Sequence, residues 1–410
     1  MGVNSLSFQQ CSTVLTSLVK QATGRDVVVS TTPDFISVAQ TALSLPKDII
    51  YNTLSDVLAR TIFSIRPYDS RFTGLEKDLP TWGGYMRKLA IAEDDWSDSK
   101  AYAWPVAYDS SQSGHETGDG YSVDQYVINK RKVQQTNFIG QSVFQDHYTI
   151  FDEQLETAFR GPEELGSFLA LLTTYMSNKI ELAKDGLATG LISNLIGTLI
   201  AEAGGNASPR VVKLLTEYNT VTGMAGTEGA YTASTIFLPD NYPAFMKWCY
   251  GRIAAIANKF RAMSTKYQTT VNSQPIARHT PYDKQKLYIL DDERYQMESR
   301  VLADTFHDNY LSLADVESVP FWQGIDTPDK VIVKPTYTNT SGVVTTAGSA
   351  ITQTGVFALL FDTDAAGWAM VHQNMLPARN VAGEYTNMWA NMRLRCFQDN
   401  TEKAVVFLLA

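Results

Sequence analysis

Cysteine is scarce. Cys11, Cys249 and Cys396 are the only three in 410 residues. They lie far apart, no two have metal-ligand spacing, and an odd number does not make a disulfide framework. A reducing interior suits such a chain. Positive charge is also short, with 34 lysines and arginines against 43 aspartates and glutamates, a net charge of −9. Gripping nucleic acid by its phosphates needs the opposite imbalance, which excludes a protein whose main task is that grip. Long apolar runs are missing too: none approaches the roughly 20 residues of a membrane helix. The N-terminus lacks a basic region followed by an apolar core, so no signal peptide is expected.

The motifs of common chemistries are equally absent. There is no Gly-x-x-x-x-Gly-Lys phosphate loop, no Gly-x-Gly-x-x-Gly after a strand, no Gly-x-Ser-x-Gly elbow and no His-Glu-x-x-His. His115–Glu116 comes nearest to the last, but Asp119 stands where a zinc protease needs its second histidine. The five histidines (His115, His147, His279, His307, His372) are scattered, and a structural or surface role suits each. Asp291, Asp292 and Glu293 follow an apolar run and could hold a divalent metal; the plainer reading is a solvated turn after a buried strand. Asp362 and Asp364 read the same way. Asn339–Thr340–Ser341 fits a glycosylation acceptor but has no secretory context.

What the chain has is apolar patterning. It is 44% hydrophobic and 19% charged, the composition of a folded protein of two or three domain-sized units. A short amphipathic helix is expected over Phe8–Ala22. Pro33 and Pro46 bracket a stretch with room for one helical turn. Lys47–Ile65 reads as a second helix, with Ile50, Leu54, Val57, Leu58 and Ile62 on one face. From 67 to 150 the pattern turns to alternation. Tyr102–Tyr108 and Tyr121–Ile128 are expected strands around the Gly- and Ser-rich tip Asp109–Gly120, a long β-hairpin arm. Phe138–Ile150 is a further strand run.

The strongest helical signal covers 162–203. Pro162 suits a first turn, Glu163 and Glu164 suit the positive end of the helix dipole, and an apolar stripe runs from Leu165 to Leu199. Unbroken, it would span about 60 Å. Gly186, Gly190 and Gly197 lie inside it as candidate kinks. An α/β section follows: a strand at Thr235–Leu238, a helix over Pro243–Tyr267, a strand at Lys286–Leu290, a short helix at Val301–Asp308, and strands at Val331–Val333 and Val356–Phe361. Met392–Phe397 and Ala404–Leu409 are expected to form a hairpin around Asp399–Asn400, which would build the last strand into a sheet.

This order of elements resembles the Hong Kong ninety-seven-type phage capsid fold. The nearer resemblance is to major capsid proteins of short-tailed phages of the phi-twenty-nine type. The residues that carry it are Asp146-His-Tyr-Thr-Ile-Phe-Asp-Glu-Gln-Leu-Glu-Thr-Ala-Phe159, Ile276-Ala-Arg-His-Thr-Pro-Tyr282 with Leu287-Tyr-Ile-Leu-Asp-Asp-Glu293, and Gly355-Val-Phe-Ala-Leu-Leu-Phe-Asp362 followed by Trp368 through Phe407. No single motif is sharp; the succession along nearly the whole chain carries the likeness. The resemblance implies an α+β chain divided into an N-terminal arm (1–66), an extended β-hairpin loop (67–137), a peripheral domain with the spine helix (138–210), a mainly axial α/β domain (211–354) and return strands (355–410).

It further implies a structural, non-enzymatic protein of the virion. Such a protein assembles in the host bacterial cytoplasm into pentamers and hexamers around double-stranded DNA, which it holds without sequence-specific binding. Scaffolding and portal proteins assist, and no cofactor, metal or membrane is involved. The acidic balance suits a wall that encloses DNA without adhering to it. A shell contact is expected where Glu93, Asp94 and Asp95 precede the arm, Tyr102, Trp104, Tyr121 and Tyr126 line it, and Lys130, Arg131 and Lys132 follow it. Such arm strands want partners they cannot find locally. The N-terminal helices have the same need and are expected to latch onto an adjacent subunit. Two alternatives remain at this point: an encapsulin-like nanocompartment shell, and a metal-dependent enzyme using Asp291, Asp292 and Glu293.

Overall fold

A computed structural model describes residues 8–23, 27, 29, 31–43, 71, 72, 74–77, 86–91, 126, 133–138, 142–272, 276–301 and 315–410. In chain order the helices are α1 (Phe8–Thr23), α2 (Thr32–Leu43), α3 (Asp152–Ala158), α4 (Pro162–Glu202), α5 (Leu214–Val221), α6 (Ala233–Ile236), α7 (Tyr242–Phe260) and α8 (Asp291–Val301). The strands are β1 (Met86–Ile91), β2 (Val133–Phe138), β3 (Ser142–Phe151), β4 (Val211–Lys213), β5 (Gln285–Leu290), β6 (Asp315–Val319), β7 (Val331–Val333), β8 (Thr336–Thr338), β9 (Val344–Thr346), β10 (Ile351–Gln353), β11 (Val356–Asp362), β12 (Ala366–Asn380), β13 (Tyr385–Gln398) and β14 (Ala404–Leu408).

A five-stranded sheet in the order β4-β14-β11-β5-β6 forms one core. Its three central strands are buried at every position. Continuous apolar runs produce this outcome when both faces of a sheet are covered. Tyr288, Leu359, Phe361 and Val406 face Leu195, Ile196 and Leu199 of α4. Leu287, Ile289, Leu360, Val405 and Phe407 face Phe245, Cys249, Ile253 and Phe260 of α7.

The helix α4 is a single helix of 41 residues. Gly161 and Pro162 open it with the two glutamates in its first turn, as the sequence predicts, and Gly186, Gly190 and Gly197 do not interrupt it. Gly197 has a packing reason to be there: a Cβ at this position would stand 2.3 Å from Val333 Cγ1. The first half of α4 belongs to a second core, made with α1 and α2. Cys11, Leu15, Val19, Phe35, Ala39 and Ala42 are buried there against Leu155, Leu165, Met176, Met375 and Met388. The N-terminal helices therefore have apolar partners within the same chain, which corrects the expectation that they lack a local core. The stretch allotted one helical turn is the 12-residue α2. Thr31 and Asp34 bond each other reciprocally before it, a capping arrangement that starts a full helix.

Strands β12, β13 and β3 make a three-stranded antiparallel sheet. Here the structure corrects the expected terminal hairpin. β13 pairs with β12 and β3, while β14 pairs with β11 and β4. Asp399–Lys403 is a crossing between two sheets. Thr235–Leu238 is not a strand; Thr232 caps a single turn, α6, through Thr235. The Phe138–Ile150 run is divided between β2 and β3, which belong to different sheets. The helix expected to reach Tyr267 stops at Phe260, where the buried Lys403 ammonium donates to the carbonyls of Phe260 (2.9 Å) and Ala262 (2.7 Å). Burial pushes that ammonium down to about 8. The expected helix Lys47–Ile65, the strands Tyr102–Tyr108 and Tyr121–Ile128 apart from Tyr126, and residues 302–308 of the helix placed at Val301–Asp308 lie outside the described residues.

Because Phe35 is fully buried in the core shared with α4, Phe35→Ala is expected to cost the unassembled subunit about 3–5 kcal/mol. Thermal or denaturant unfolding of the subunit measures it. An unchanged stability would mean that α1 and α2 dock only on other copies.

Candidate assembly surface

Among the described residues, strands β1 and β2 pair only with each other, antiparallel, from Met86 with Phe138 to Ile91 with Val133. Residues 92–132 connect Ile91 to Val133 and, apart from Tyr126, lie outside the described residues. Nine of the ten residues expected at a subunit contact belong to this segment and are among those not described: Glu93, Asp94, Asp95, Tyr102, Trp104, Tyr121, Lys130, Arg131 and Lys132. The tenth, Tyr126, is 89% exposed. On the outer face of the ladder Leu89 and Val133 are exposed.

The inner face of the ladder meets the crossing between the sheets. Phe138 packs on Phe397 with ring centroids 5.6 Å apart. Lys88 donates to Asp399 Oδ2 at 2.8 Å and to Glu402 Oε1. Arg278 donates to the same Glu402 oxygen and, at 3.0 Å, to Thr401 Oγ1. Asp399 Oδ1 accepts from the backbone N–H (2.9 Å) and hydroxyl (2.6 Å) of Thr401. The two carboxyls respond differently to this setting. For Asp399, burial works upward, but Lys88 and the hydrogen bonds from Lys88 and Thr401 outweigh it and hold the carboxyl below its ordinary range. For Glu402, burial prevails over Lys88 and Arg278, and the carboxyl is raised.

The three-stranded sheet has one covered face and one open face. Met375, Met388, Met392 and Ile150 point inward. Outward the register lines up five rows: Val143–Arg393–His372, Gln145–Asn391–Asn374, His147–Trp389–Leu376, Thr149–Asn387–Ala378 and Phe151–Tyr385–Asn380. Contacts run along the rows. His147 stacks on Trp389 at 4.5 Å, Gln145 Nε2 donates to Asn391 Oδ1 at 2.9 Å, Thr149 Oγ1 donates to Asn387 Oδ1 at 2.6 Å, and Phe151 meets Tyr385 edge-on at 5.9 Å. Of these fifteen side chains only Arg393 carries a full charge, against 19% charged residues in the whole chain. Depletion of charge with enrichment of aromatic rings marks the centre of protein–protein interfaces rather than free surface. The sequence reading missed this face. Its signal was the strict alternation of β3, where Val143, Gln145, His147, Thr149 and Phe151 are all exposed.

The candidate metal residues do not form a metal site. Asp291, Asp292 and Glu293 are the first turn of α8, not a turn after β5. Carboxylates there complement the positive end of the helix dipole. Glu293 accepts a hydrogen bond from the Tyr242 hydroxyl at 3.1 Å, and burial raises its carboxyl. No group of three His, Cys, Asp or Glu among the described residues is placed to hold a metal ion. Asp362 accepts from Thr280 Oγ1 at 2.7 Å, and Asp364 is held by Lys77 and Lys284.

Residues 48–408 match the family described as Phi29-like phage major capsid protein. Among solved structures, the capsid of Staphylococcus phage Andhra is similar with a TM-score of 0.51 and 12% identity, over 83% of this chain and 84% of that one. A chain in the structure of the head fiber and inner core protein gp22 of native bacteriophage P68 is similar with a TM-score of 0.51 and 11% identity, over 83% and 85%. No curated protein matches the sequence.

The split between the two carboxyls predicts unequal costs. Asp399→Asn leaves Lys88 without its ionised partner and is expected to cost about 3 kcal/mol. Glu402→Gln, at a carboxyl that burial raises, is expected to cost less. The sign with pH follows from linkage: the stability Asp399 contributes is present above its unfolded value near 3.9 and is lost only as pH falls through its lower folded value. Denaturant titrations of both variants at pH 7 and in mild acid measure this. Equal costs would contradict the assignment.

Proposed function

This chain belongs to the Phi29-like phage major capsid protein family, and on that premise we propose how its copies make a shell. The fold is the Hong Kong ninety-seven-type phage capsid fold, and the protein forms the head shell of the virion. The 92–132 excursion lies against a neighbouring copy and gains there the burial that its aromatic strands lack at home. The acidic residues Glu93, Asp94 and Asp95 and the basic Lys130, Arg131 and Lys132 flank that contact. The observation that carries this reading is the β1–β2 ladder, which brings the two ends of the 92–132 segment together at Ile91 and Val133.

The open face of the three-stranded sheet is a second contact with another copy. Three strands about 4.8 Å apart and ten residues long, at about 3.3 Å per residue, cover roughly 500 Å². A free-standing complex buries about 800 Å² per partner. The face is therefore too small to hold a dimer alone and suits a closed assembly that sums many such contacts.

We divide the chain into N-terminal arm (1–66), extended loop (67–137), peripheral (138–210), axial (211–354) and return (355–410) segments. The shell is built of pentamers and hexamers in the host cytoplasm with scaffolding and portal proteins. It encloses double-stranded DNA without reading its sequence, as the net charge of −9 favours. We assign the protein no catalytic activity and no cofactor.

Deleting Asp109–Gly120 is expected to leave a soluble, folded subunit that does not close shells. Size-exclusion chromatography and negative-stain microscopy read the result, and normal particles would defeat the arm contact. Leu376→Glu places a charge on the open face, at a side chain that is 53% exposed, and is expected to abolish shells while leaving the melting temperature within a few degrees of the parent, since exposed substitutions change stability by about 0.5 kcal/mol or less. Normal shells from that variant would remove the sheet face from the assembly contacts.

A further inference from the structure

A two-stranded ladder has little stability of its own in water. Among the described residues, strands β1 and β2 pair with no third strand, so what holds them to the subunit sets how the ladder is oriented. Two contacts to described residues lie on their inner face. At the end nearest β3, the ring of Phe138 rests on Phe397. This contact is apolar and non-directional, and a ladder held by it alone can turn about it. In the middle of β1, the Lys88 ammonium reaches into the crossing between the sheets and is shared by Asp399 and Glu402.

The receiving end of that second contact is rigid. Asp399, Thr401 and Glu402 are buried. The Asp399 N–H donates to Ala365 O at 2.7 Å, its carboxylate is held by Thr401, and Glu402 is held from the other side by Arg278. Asn400 Nδ2 donates to Thr338 O at 3.1 Å and Asn400 O accepts from the Thr269 N–H at 2.9 Å, so two further loops immobilise the crossing. Charge-assisted hydrogen bonds from one ammonium to two fixed carboxylates are directional in a way the Phe138 contact is not.

We propose that Lys88 is a positioning residue: its bonds to Asp399 and Glu402 fix the angle at which the 92–132 excursion leaves the subunit. This rests on the reading that the excursion engages a neighbouring copy. A fixed departure angle then sets the spacing between copies and, through it, the curvature of the shell. The Lys88 side chain is 25% exposed, so water reaches it and the link can break and re-form without unfolding the core.

The test compares Lys88→Met, which keeps the aliphatic stem and removes the charge, with Lys88→Arg, which keeps the charge. Hydrogen exchange is followed by mass spectrometry on the unassembled subunit, so that no neighbour is needed. For Lys88→Met the expected result is an increase of about tenfold or more in exchange across 86–91 and 133–138. Protection of 285–290 and 404–408 should be unchanged, and Lys88→Arg should restore parental exchange. Shells from Lys88→Met are expected to show a broader distribution of diameters. Parental protection of 86–91 and 133–138 in Lys88→Met would overturn the proposal. So would a loss of protection that spreads to 404–408, because Lys88 would then be a general stability residue. Parental exchange in the Asp109–Gly120 deletion, together with normal shells, would defeat the neighbour contact alone and leave the role of Lys88 in aiming the ladder to be judged on the lysine variants.

Discussion

Five consecutive polar side chains, Asp399 to Lys403, are buried in the crossing from β13 to β14. Burying such groups costs several kcal/mol each unless every one is hydrogen-bonded or paired, so this crossing forms only when its surroundings are already right. Lys403 requires the end of α7, Glu402 requires Arg278 and Lys88, Asn400 requires the 336–338 strand and the end of α4, and Asp399 requires Thr401 and Lys88. Both sheets, the long helix, α7 and the arm base are thereby held to a common point. A network of this kind contributes modestly to net stability and strongly to uniqueness, since a partly satisfied version is worse than none.

The same crossing explains where sequence reading failed. Two apolar runs separated by Asp399 and Asn400 have the appearance of a hairpin, because such residues favour turns. Local pattern cannot reveal that the flanking strands belong to different sheets; that depends on β3, β4, β11 and β12, which are distant in sequence. The strand expected at 235–238 failed for a smaller reason. Thr232 and Thr235 cap each other, and a four-residue apolar run carries too little periodicity to distinguish a helical turn from a strand. The long helix, by contrast, was legible from Pro162 to Glu202 because start signal, apolar stripe and stop signal agreed over eleven turns' worth of chain. The buried strands β5, β11 and β14 were legible because continuous apolar runs bounded by polar residues leave few alternatives.

The proposed contact surfaces are marked in the sequence to unequal degrees. The arm is expected from the change of pattern over 67–150, where apolar residues alternate. The open sheet face was encoded as alternation in β3, but its significance arises only when the amides and rings of β13 and β12 come alongside. Gln145 beside Asn391 and His147 beside Trp389 are pairs separated by more than two hundred positions. The pin at Lys88 was invisible for the same reason: one lysine in a strand is unremarkable until Asp399 and Glu402 are brought to it.

The continuity of α4 has a mechanical consequence. Its first half is embedded in the core made with α1 and α2, and its second half in the core of the five-stranded sheet. A helix gripped at both ends acts as a strut: push or pull at one core is delivered to the other along hydrogen bonds aligned with the axis, with no loop in between to absorb it. Gly197, seated against Val333, lets the strut lie close against β7. Load entering the subunit at one core is passed to the other through this rod rather than dissipated by hinging between them.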